Sequence, residues 1–135
     1  MLLPLALECL AYPSGVAVSP DGRCVYVAEQ MANRILRFVQ GPNGAFLYTV
    51  FHQFAGGLGP TCLTCDGEGS IYVGRFDYVG AGARAGVVSV LSTDGAVQSE
   101  ILVPGPEITG LAISPDGRGL FITEASTQCV YRMSV

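Results

Sequence analysis

An internal repeat constrains the fold of this chain more than any other feature of its sequence. Residues 15–29, GVAVSPDGRCVYVAE, recur as residues 110–124, GLAISPDGRGLFITE, and residues 63–73, LTCDGEGSIYV, form a looser third copy. The Asp-Gly turns of the three copies lie 45 and then 50 residues apart. Each turn separates two apolar runs, which is typical of a β-hairpin in which glycine supplies the positive φ.

The repeat period and the apolar pattern together predict an all-β protein, a β-propeller. A repeat of about 40–50 residues is the length of a four-stranded propeller blade. The runs are apolar on both alternating faces, so each sheet must be covered on both sides, as neighbouring blades cover one another. We expect three blades, at residues 11–52, 59–103 and 107–135, which is half of a six-bladed propeller.

The count of strands leaves the last of these blades incomplete. We expect four strands in each of the first two blades, three in the last, and a further outer strand at residues 3–10. Three blades cannot close the usual ring of four to eight. Two alternatives are open: a head-to-tail homodimer in which each copy lends residues 3–10 to the other's last blade, or a piece of a longer protein.

Composition and charge disfavour several classes of partner. The net charge of −4 provides no basic surface for nucleic acid, and no apolar run reaches the roughly 18 residues that span a bilayer. The first ten residues lack a basic start and contain Glu8, so an outer strand is favoured over a signal peptide. Five scattered cysteines do not form the pattern of a secreted disulfide framework. We expect a cytoplasmic protein that binds neither nucleic acid nor membranes.

The sequence also resembles a known superfamily. Residues 12–38, YPSGVAVSPDGRCVYVAEQMANRILRF, with the QGPNG and GLGPT turns after them, closely resemble the strictosidine synthase-like propellers. The last block is similar to the gluconolactonase/regucalcin group of the same calcium-dependent, six-bladed superfamily, and the resemblance covers almost the whole chain. It implies a divalent cation, usually calcium, at one mouth of the central channel. Members hydrolyse lactones or organophosphate esters, or condense an amine with an aldehyde.

The resemblance also implies where site residues lie, because the family's metal ligands are asparagines at inner-strand starts and acidic residues at second-strand ends. In this chain the second-strand ends carry Glu29, Arg75 and Glu124, and the inner-strand starts carry Ser14, Thr61 (or Cys62) and Thr109. Glu29 and Glu124 are therefore the expected metal ligands or catalytic carboxylates. Asp77, in the insertion 76–85, is a further candidate ligand or lid residue. Hydroxyls stand where the family most often has asparagine or aspartate, and calcium prefers six to eight oxygen ligands.

Two functions follow from these residues. The first is a metal-dependent lactone or ester hydrolase, in which calcium or another divalent cation polarises the carbonyl of a small molecule in the channel. The second is a non-catalytic binding or scaffold module, with Glu29 and Glu124 at a wet channel mouth that holds no metal and Arg75 neutralising them. His52, the one histidine, is expected on an outer strand, which disfavours a Ser-His-Asp site.

Overall fold

The computed structural model describes residues 1–77 and 85–135, and within them the chain forms eleven β-strands in three antiparallel sheets. Sheet A contains β1 (Pro13–Val18), β2 (Cys24–Glu29), β3 (Arg34–Gln40) and β4 (Phe46–Gln53). Sheet B contains β5 (Pro60–Cys65), β6 (Ile71–Asp77), β7 (Ala85–Leu91) and β8 (Val97–Val103). Sheet C contains β9 (Ile108–Ile113), β10 (Gly119–Glu124) and β11 (Cys129–Ser134). Strands adjacent along the chain pair within each sheet, so the sheets are meanders, consistent with part of a propeller.

The repeated Asp-Gly turns close the first hairpin of every sheet, as the sequence predicts. The Asp21 carboxylate accepts a hydrogen bond from the N–H of Arg23 at 3.0 Å, and Asp116 accepts one from Arg118 at 3.0 Å. The glycines that follow the two aspartates, like other turn glycines here, have positive φ, +72° in both cases. The side chain thus fixes the turn while glycine takes the conformation that other residues avoid.

The apolar cores lie between the sheets. One cluster joins sheets A and B and is formed by Tyr26, Ala28, Ile35, Phe54, Leu63, Ile71, Val73 and Leu91. A second joins sheets B and C and is formed by Cys62, Tyr72, Val88, Val90, Val103, Ile108, Leu120 and Ile122. Cys62 belongs to the second cluster whereas Cys65 packs against the first, so this Cys-x-x-Cys pair points to opposite faces of β5. Sheet B is therefore covered on both faces, as a blade inside a propeller must be.

The amino-terminal segment differs from the expectation, because residues 3–10 form no strand in this structure. The segment instead lies on sheet A. A cavity of about 470 Å³ between the two is lined on the side of the segment by Leu5, Ala6 and Leu10. Sheet C consequently has three strands, and among the described residues β11 pairs with β10 alone. The physical reason is the order of the sheets. Sheet B lies between A and C, so the segment that precedes β1 packs on sheet A and not beside β11.

Within the described residues, no helix is long and apolar enough to cross a membrane. The one helical element among them is a three-residue 3₁₀ turn, Gln30–Ala32, which joins β2 to β3.

Candidate functional site

The inner strand of each sheet begins with a β-bulge, and the extra residue of each bulge is one of the predicted hydroxyl residues. In sheet A, Pro13 pairs with Glu29 and Gly15 with Ala28, which leaves Ser14 as the extra residue. In sheet B the same irregularity leaves out Thr61, and in sheet C it leaves out Thr109. Bulges redirect a side chain and interrupt the ladder. The bulges therefore set Ser14, Thr61 and Thr109 beside the ends of the second strands, which is the placement expected from the sequence.

Two of the three bulge hydroxyls join neighbouring sheets. Ser14 Oγ donates a hydrogen bond to the carbonyl oxygen of Pro60 in sheet B at 2.8 Å. Thr61 Oγ1 donates one to the carbonyl oxygen of Ile108 in sheet C at 2.6 Å. Each acceptor is the residue immediately before the next bulge. These two hydroxyls are thus already used in structural contacts between inner strands, a role that the sequence did not reveal.

Thr109 is the third member of the series and behaves differently. Its Oγ1 lies 2.9 Å from Thr123 Oγ1 and 3.4 Å from the Thr123 carbonyl oxygen, both within sheet C. Thr109 is exposed, whereas Ser14 and Thr61 are half-buried. The difference follows from position, because none of the other described sheets packs against the outward side of sheet C.

Glu29 ends β2 and its side chain is only 1% exposed. Its Oε1 forms an ion pair with Arg34, and its Oε2 accepts a hydrogen bond from the N–H of Ala11 at 2.8 Å. Burial acts to raise the pKa of Glu29, but the Arg34 guanidinium and the Ala11 N–H outweigh it and lower that pKa below its usual value. Glu29 is therefore an ionised carboxylate with one donor on each oxygen.

Glu124, the repeat counterpart of Glu29, is bound much more fully. Its Oε1 accepts hydrogen bonds from the N–H groups of Glu107 (2.8 Å) and Ser126 (3.1 Å) and from the Ser126 hydroxyl. Its Oε2 accepts from the N–H and the hydroxyl of Thr127. Burial acts to raise the pKa of Glu124, yet these donors lower it to about 2. This carboxylate closes the turn between β10 and β11, which the Ser-Thr pair soon after it could have indicated.

Arg75 occupies the equivalent position in sheet B, but its hydrogen bonds are made within that sheet. The buried side chain donates from Nε to Ser89 Oγ at 3.0 Å and from an Nη to Glu100 at 3.2 Å. Its guanidinium carbon lies 4.3 Å from the centre of the Phe54 ring. In this structure the ion pair of Arg75 is with Glu100, and Glu29 pairs with Arg34 instead. The predicted network between Arg75 and the glutamates is thus not formed here.

Asp77 and His52 are the remaining predicted positions. Asp77 is the last residue of β6 and pairs with Ala85 through the backbone, while its side chain and residues 78–84 lie outside the described part of the chain. His52 lies on β4, the outer strand of sheet A, as the sequence predicts, with Nδ1 2.8 Å from the carbonyl oxygen of Gly95.

The described side chains do not fit a calcium site. In the parts of the chain that the structure describes, no group of three or more His, Cys, Asp or Glu residues is placed to hold a metal ion. Glu124 already accepts five hydrogen bonds, Glu29 is paired with the Arg34 cation, and the sheet between them contributes Arg75. Calcium requires six to eight oxygen ligands, so no step of the chemistry below is assigned to a metal.

Comparison with known proteins identifies the family. The sequence model of the SMP-30/Gluconolactonase/LRE-like region matches residues 3–126. This chain belongs to that family. Lactonase drp35 of Staphylococcus aureus (strain USA300) is 27% identical over 103 residues, and that of Staphylococcus saprophyticus is 29% identical. The strictosidine synthase-like resemblance of the first block stays a prediction.

Solved structures of the family share the fold. A gluconolactonase of Xanthomonas campestris superposes with a TM-score of 0.75 at 24% identity and covers 93% of this chain. Regucalcin of Agrobacterium tumefaciens, described as a calcium-binding protein, superposes with a TM-score of 0.73 at 26% identity. The chain spans 30% of the length of the S. aureus lactonase, 38% of the gluconolactonase and 46% of regucalcin. It therefore corresponds to less than half of each of these family members.

Proposed function

We propose that this chain forms part of a hydrolase that opens the ring of a small lactone, acting at the channel mouth where the second strands end. The observation that carries the proposal is the family match over residues 3–126, together with the lactonase named among its relatives. Half of a six-bladed propeller remains the assembly unit that we propose. The fold itself does not select the reaction, since propellers serve many functions.

Glu29 is the residue that we assign as general base. Hydrolysis of a lactone needs an unprotonated group that takes a proton from the attacking water. Glu29 is ionised at neutral pH, and each of its oxygens accepts one hydrogen bond, which leaves a lone pair free on each. Because, against the effect of burial, the Arg34 ion pair lowers the pKa of Glu29 and so weakens it as a base, the assignment rests on its place at the strand end and on these lone pairs. Glu124 has five donors on its two oxygens and is better explained as a support for its turn.

Access to Glu29 depends on the amino-terminal segment. The N–H of Ala11 covers one carboxylate oxygen, and the side chain is nearly inaccessible in the single chain. Ala11 lies just outside residues 3–10 and is fixed in its turn, because its carbonyl oxygen accepts a hydrogen bond from the N–H of Met31 at 3.1 Å. We therefore place the activity in an assembled form in which Ala11 moves together with residues 3–10, while Arg34 keeps the carboxylate in position.

The divalent cation predicted for the assembled mouth, calcium above all, has no fitting set of ligands among the described side chains. Asp77, whose side chain lies outside the described part, stays a predicted ligand, and Ser14, Thr61, Arg75 and Thr109 stay the predicted residues of the mouth. Regucalcin of A. tumefaciens is described as a calcium-binding protein, which is the support for this element. The proposal also includes a cytoplasmic location. The support for it is the first ten residues, which lack the basic start of a signal peptide and contain Glu8; the five unpaired cysteines are compatible with a reducing compartment.

A non-catalytic binding or scaffold module is the second candidate, and a specific observation favours it. The hydroxyls of Ser14 and Thr61 are engaged by backbone carbonyls, and the carboxylates of Glu29 and Glu124 are engaged by their own neighbours. Groups held in this way stabilise a fold without any chemistry. A small molecule bound in the channel without turnover would be its signature.

The test is a lactone panel followed at constant pH by titrating the acid released, with γ- and δ-lactones of sugar and aliphatic acids. The wild-type protein is assayed with calcium and with a chelator, beside Glu29→Gln and, as matched control, Glu68→Gln in an exposed turn. The proposal expects turnover that Glu29→Gln lowers at least 100-fold and Glu68→Gln leaves unchanged. Absence of turnover with every lactone, under both conditions, contradicts it and favours the second candidate.

A further inference from the structure

The two open faces of this chain are repeat copies of faces that are buried inside it. The face of sheet A that packs on sheet B carries Gly15, Ala17, Tyr26, Ala28 and Ile35. Residues 95 positions later, Gly110, Ala112, Phe121, Thr123 and Val130, form the outward face of sheet C. Tyr26 and Ile35 are 5% and 0% exposed, whereas Phe121 and Val130 are 39% and 69% exposed. The outward face of sheet C therefore has the residue pattern of a face that accepts another sheet.

The outward face of sheet A is, in turn, a repeat copy of the face of sheet C that packs on sheet B. Leu111, Ile113, Leu120 and Ile122 form the face of sheet C that packs on sheet B. Their repeat counterparts, Val16, Val18, Val25 and Val27, form the outward face of sheet A. Val16 and Val18 are 65% and 54% exposed, whereas Val25 and Val27 are half-buried, and the amino-terminal segment lies against this face. The outward face of sheet A thus has the pattern of a face that packs onto the preceding sheet.

We propose that a second copy of this chain occupies both open faces, in a head-to-tail pair. The outward face of sheet C of each copy packs on the outward face of sheet A of the other. The two contacts are identical and related by a two-fold axis, so six sheets close a ring and no open sheet face remains. The inference concerns assembly and holds whether or not the ring hydrolyses a lactone.

The bulge hydroxyls support this occupant independently of the apolar pattern. Ser14 donates to the carbonyl of Pro60, and Thr61 donates to the carbonyl of Ile108. Continuing the series, Thr109 donates to the carbonyl of Pro13 in the second copy, since Pro13 precedes the bulge of sheet A as Pro60 precedes that of sheet B. The exposed Thr109 hydroxyl thus has its acceptor in the proposed neighbour.

The shape of the outward face of sheet C also fits. Inside the chain, the side chain of Leu63 in sheet B packs directly on Gly15 of sheet A. The contact is so close that a Cβ added at Gly15 would lie 2.8 Å from Leu63 Cδ2. The outward face of sheet C has an open depression of about 240 Å³ beside Gly110. Leu63 lies two residues after the bulge residue Thr61, and Val16 lies two residues after the bulge residue Ser14, so Val16 is the counterpart of Leu63 in sheet A. Val16 of the second copy therefore fills this depression.

The amino-terminal segment completes the arrangement. It lies on the outward side of sheet A, where sheet C of the second copy would stand. Leu3 and Leu7 in this segment are 68% and 71% exposed. In the pair, residues 3–10 leave the surface of sheet A and add a fourth strand along β11 of the second copy. This move buries their apolar side chains and pairs the edge of sheet C.

The assembly is tested by light scattering after size exclusion. The wild type is expected at twice the 14.1 kDa of the chain. Val16→Glu and Phe121→Glu, each placing a charge on one open face, are expected at the mass of one chain. Leu102→Glu, at an exposed position on β8 of the middle sheet (75% exposed), is the matched control and is expected to remain paired. Far-UV circular dichroism checks that all variants are folded.

Mixing the two charged variants tests the head-to-tail geometry. A pair made of one Val16→Glu chain and one Phe121→Glu chain contains one contact with both charges and one contact without either. The mixture is therefore expected to recover the paired mass that neither variant has alone. A contact of sheet A with sheet A, or of C with C, would be broken by one variant only and so contradicts the proposal. A wild type at 14.1 kDa at every concentration, or an open-ended aggregate, also overturns it, and would favour further sheets of a longer protein as the occupant of the open faces.

Discussion

Replacing Ile35 with alanine tests whether the contact between sheets A and B is a packed core. Ile35 lies on β3, is fully buried and belongs to the cluster that joins the two sheets. The change removes three carbon atoms, worth about 0.8 kcal/mol each in lost transfer free energy, and leaves a cavity. We expect the free energy of unfolding to fall by about 3 kcal/mol, a large part of the roughly 5–15 kcal/mol typical of a domain.

The assay is urea unfolding followed by far-UV circular dichroism, since the chain has no tryptophan. Leu47→Ala is the matched control, because Leu47 lies on β4 of the same sheet with 71% of its surface exposed. We expect that control to change the free energy by less than about 0.5 kcal/mol. An Ile35→Ala loss below about 1 kcal/mol, or equal losses in both variants, would show that sheets A and B do not pack as described.

Three further predictions concern the supports of the site. Because the pKa of Glu124 is lowered from 4.5 to about 2, its contribution to stability is complete above pH 4.5. The stability difference between wild type and Glu124→Gln should therefore shrink as the pH falls from 4.5 towards 2, measured by urea unfolding at each pH. A difference that grows in acid would contradict this. Thr61→Val removes the donor to the Ile108 carbonyl and should cost about 1–2 kcal/mol, against no measurable cost for Thr49→Val at an exposed position of β4. Gly59 has φ +94° and an added Cβ would lie 2.1 Å from the Gln30 carbonyl oxygen, so Gly59→Ala should lower the melting temperature while Gly67→Ala, with open space around it, should not.

Sequence and structure agree where the physics is local. The Asp-Gly turns and the alternating apolar runs predicted the hairpins, because a turn is fixed by a few neighbouring residues. The same pattern placed Ser14, Thr61 and Thr109 beside Glu29, Arg75 and Glu124, since the start of one strand of a hairpin lies beside the end of its partner. The strand predicted at residues 3–10 is wrong for the single chain, because a strand forms only beside an available edge.

The sequence by itself therefore determined that this chain folds into repeated antiparallel sheets, and it indicated the family to which the chain belongs. Only the tertiary structure decided what the polar groups at the strand ends do. The hydroxyl of Thr61 bonds a carbonyl 47 residues away, and the Ala11 N–H that binds Glu29 lies 18 residues before it. Such partners are brought together by the packing of whole sheets, and no local pattern records them. The same packing left the outward face of sheet C open and the outward face of sheet A covered only in part, by the amino-terminal segment, although their sequences match faces that are buried.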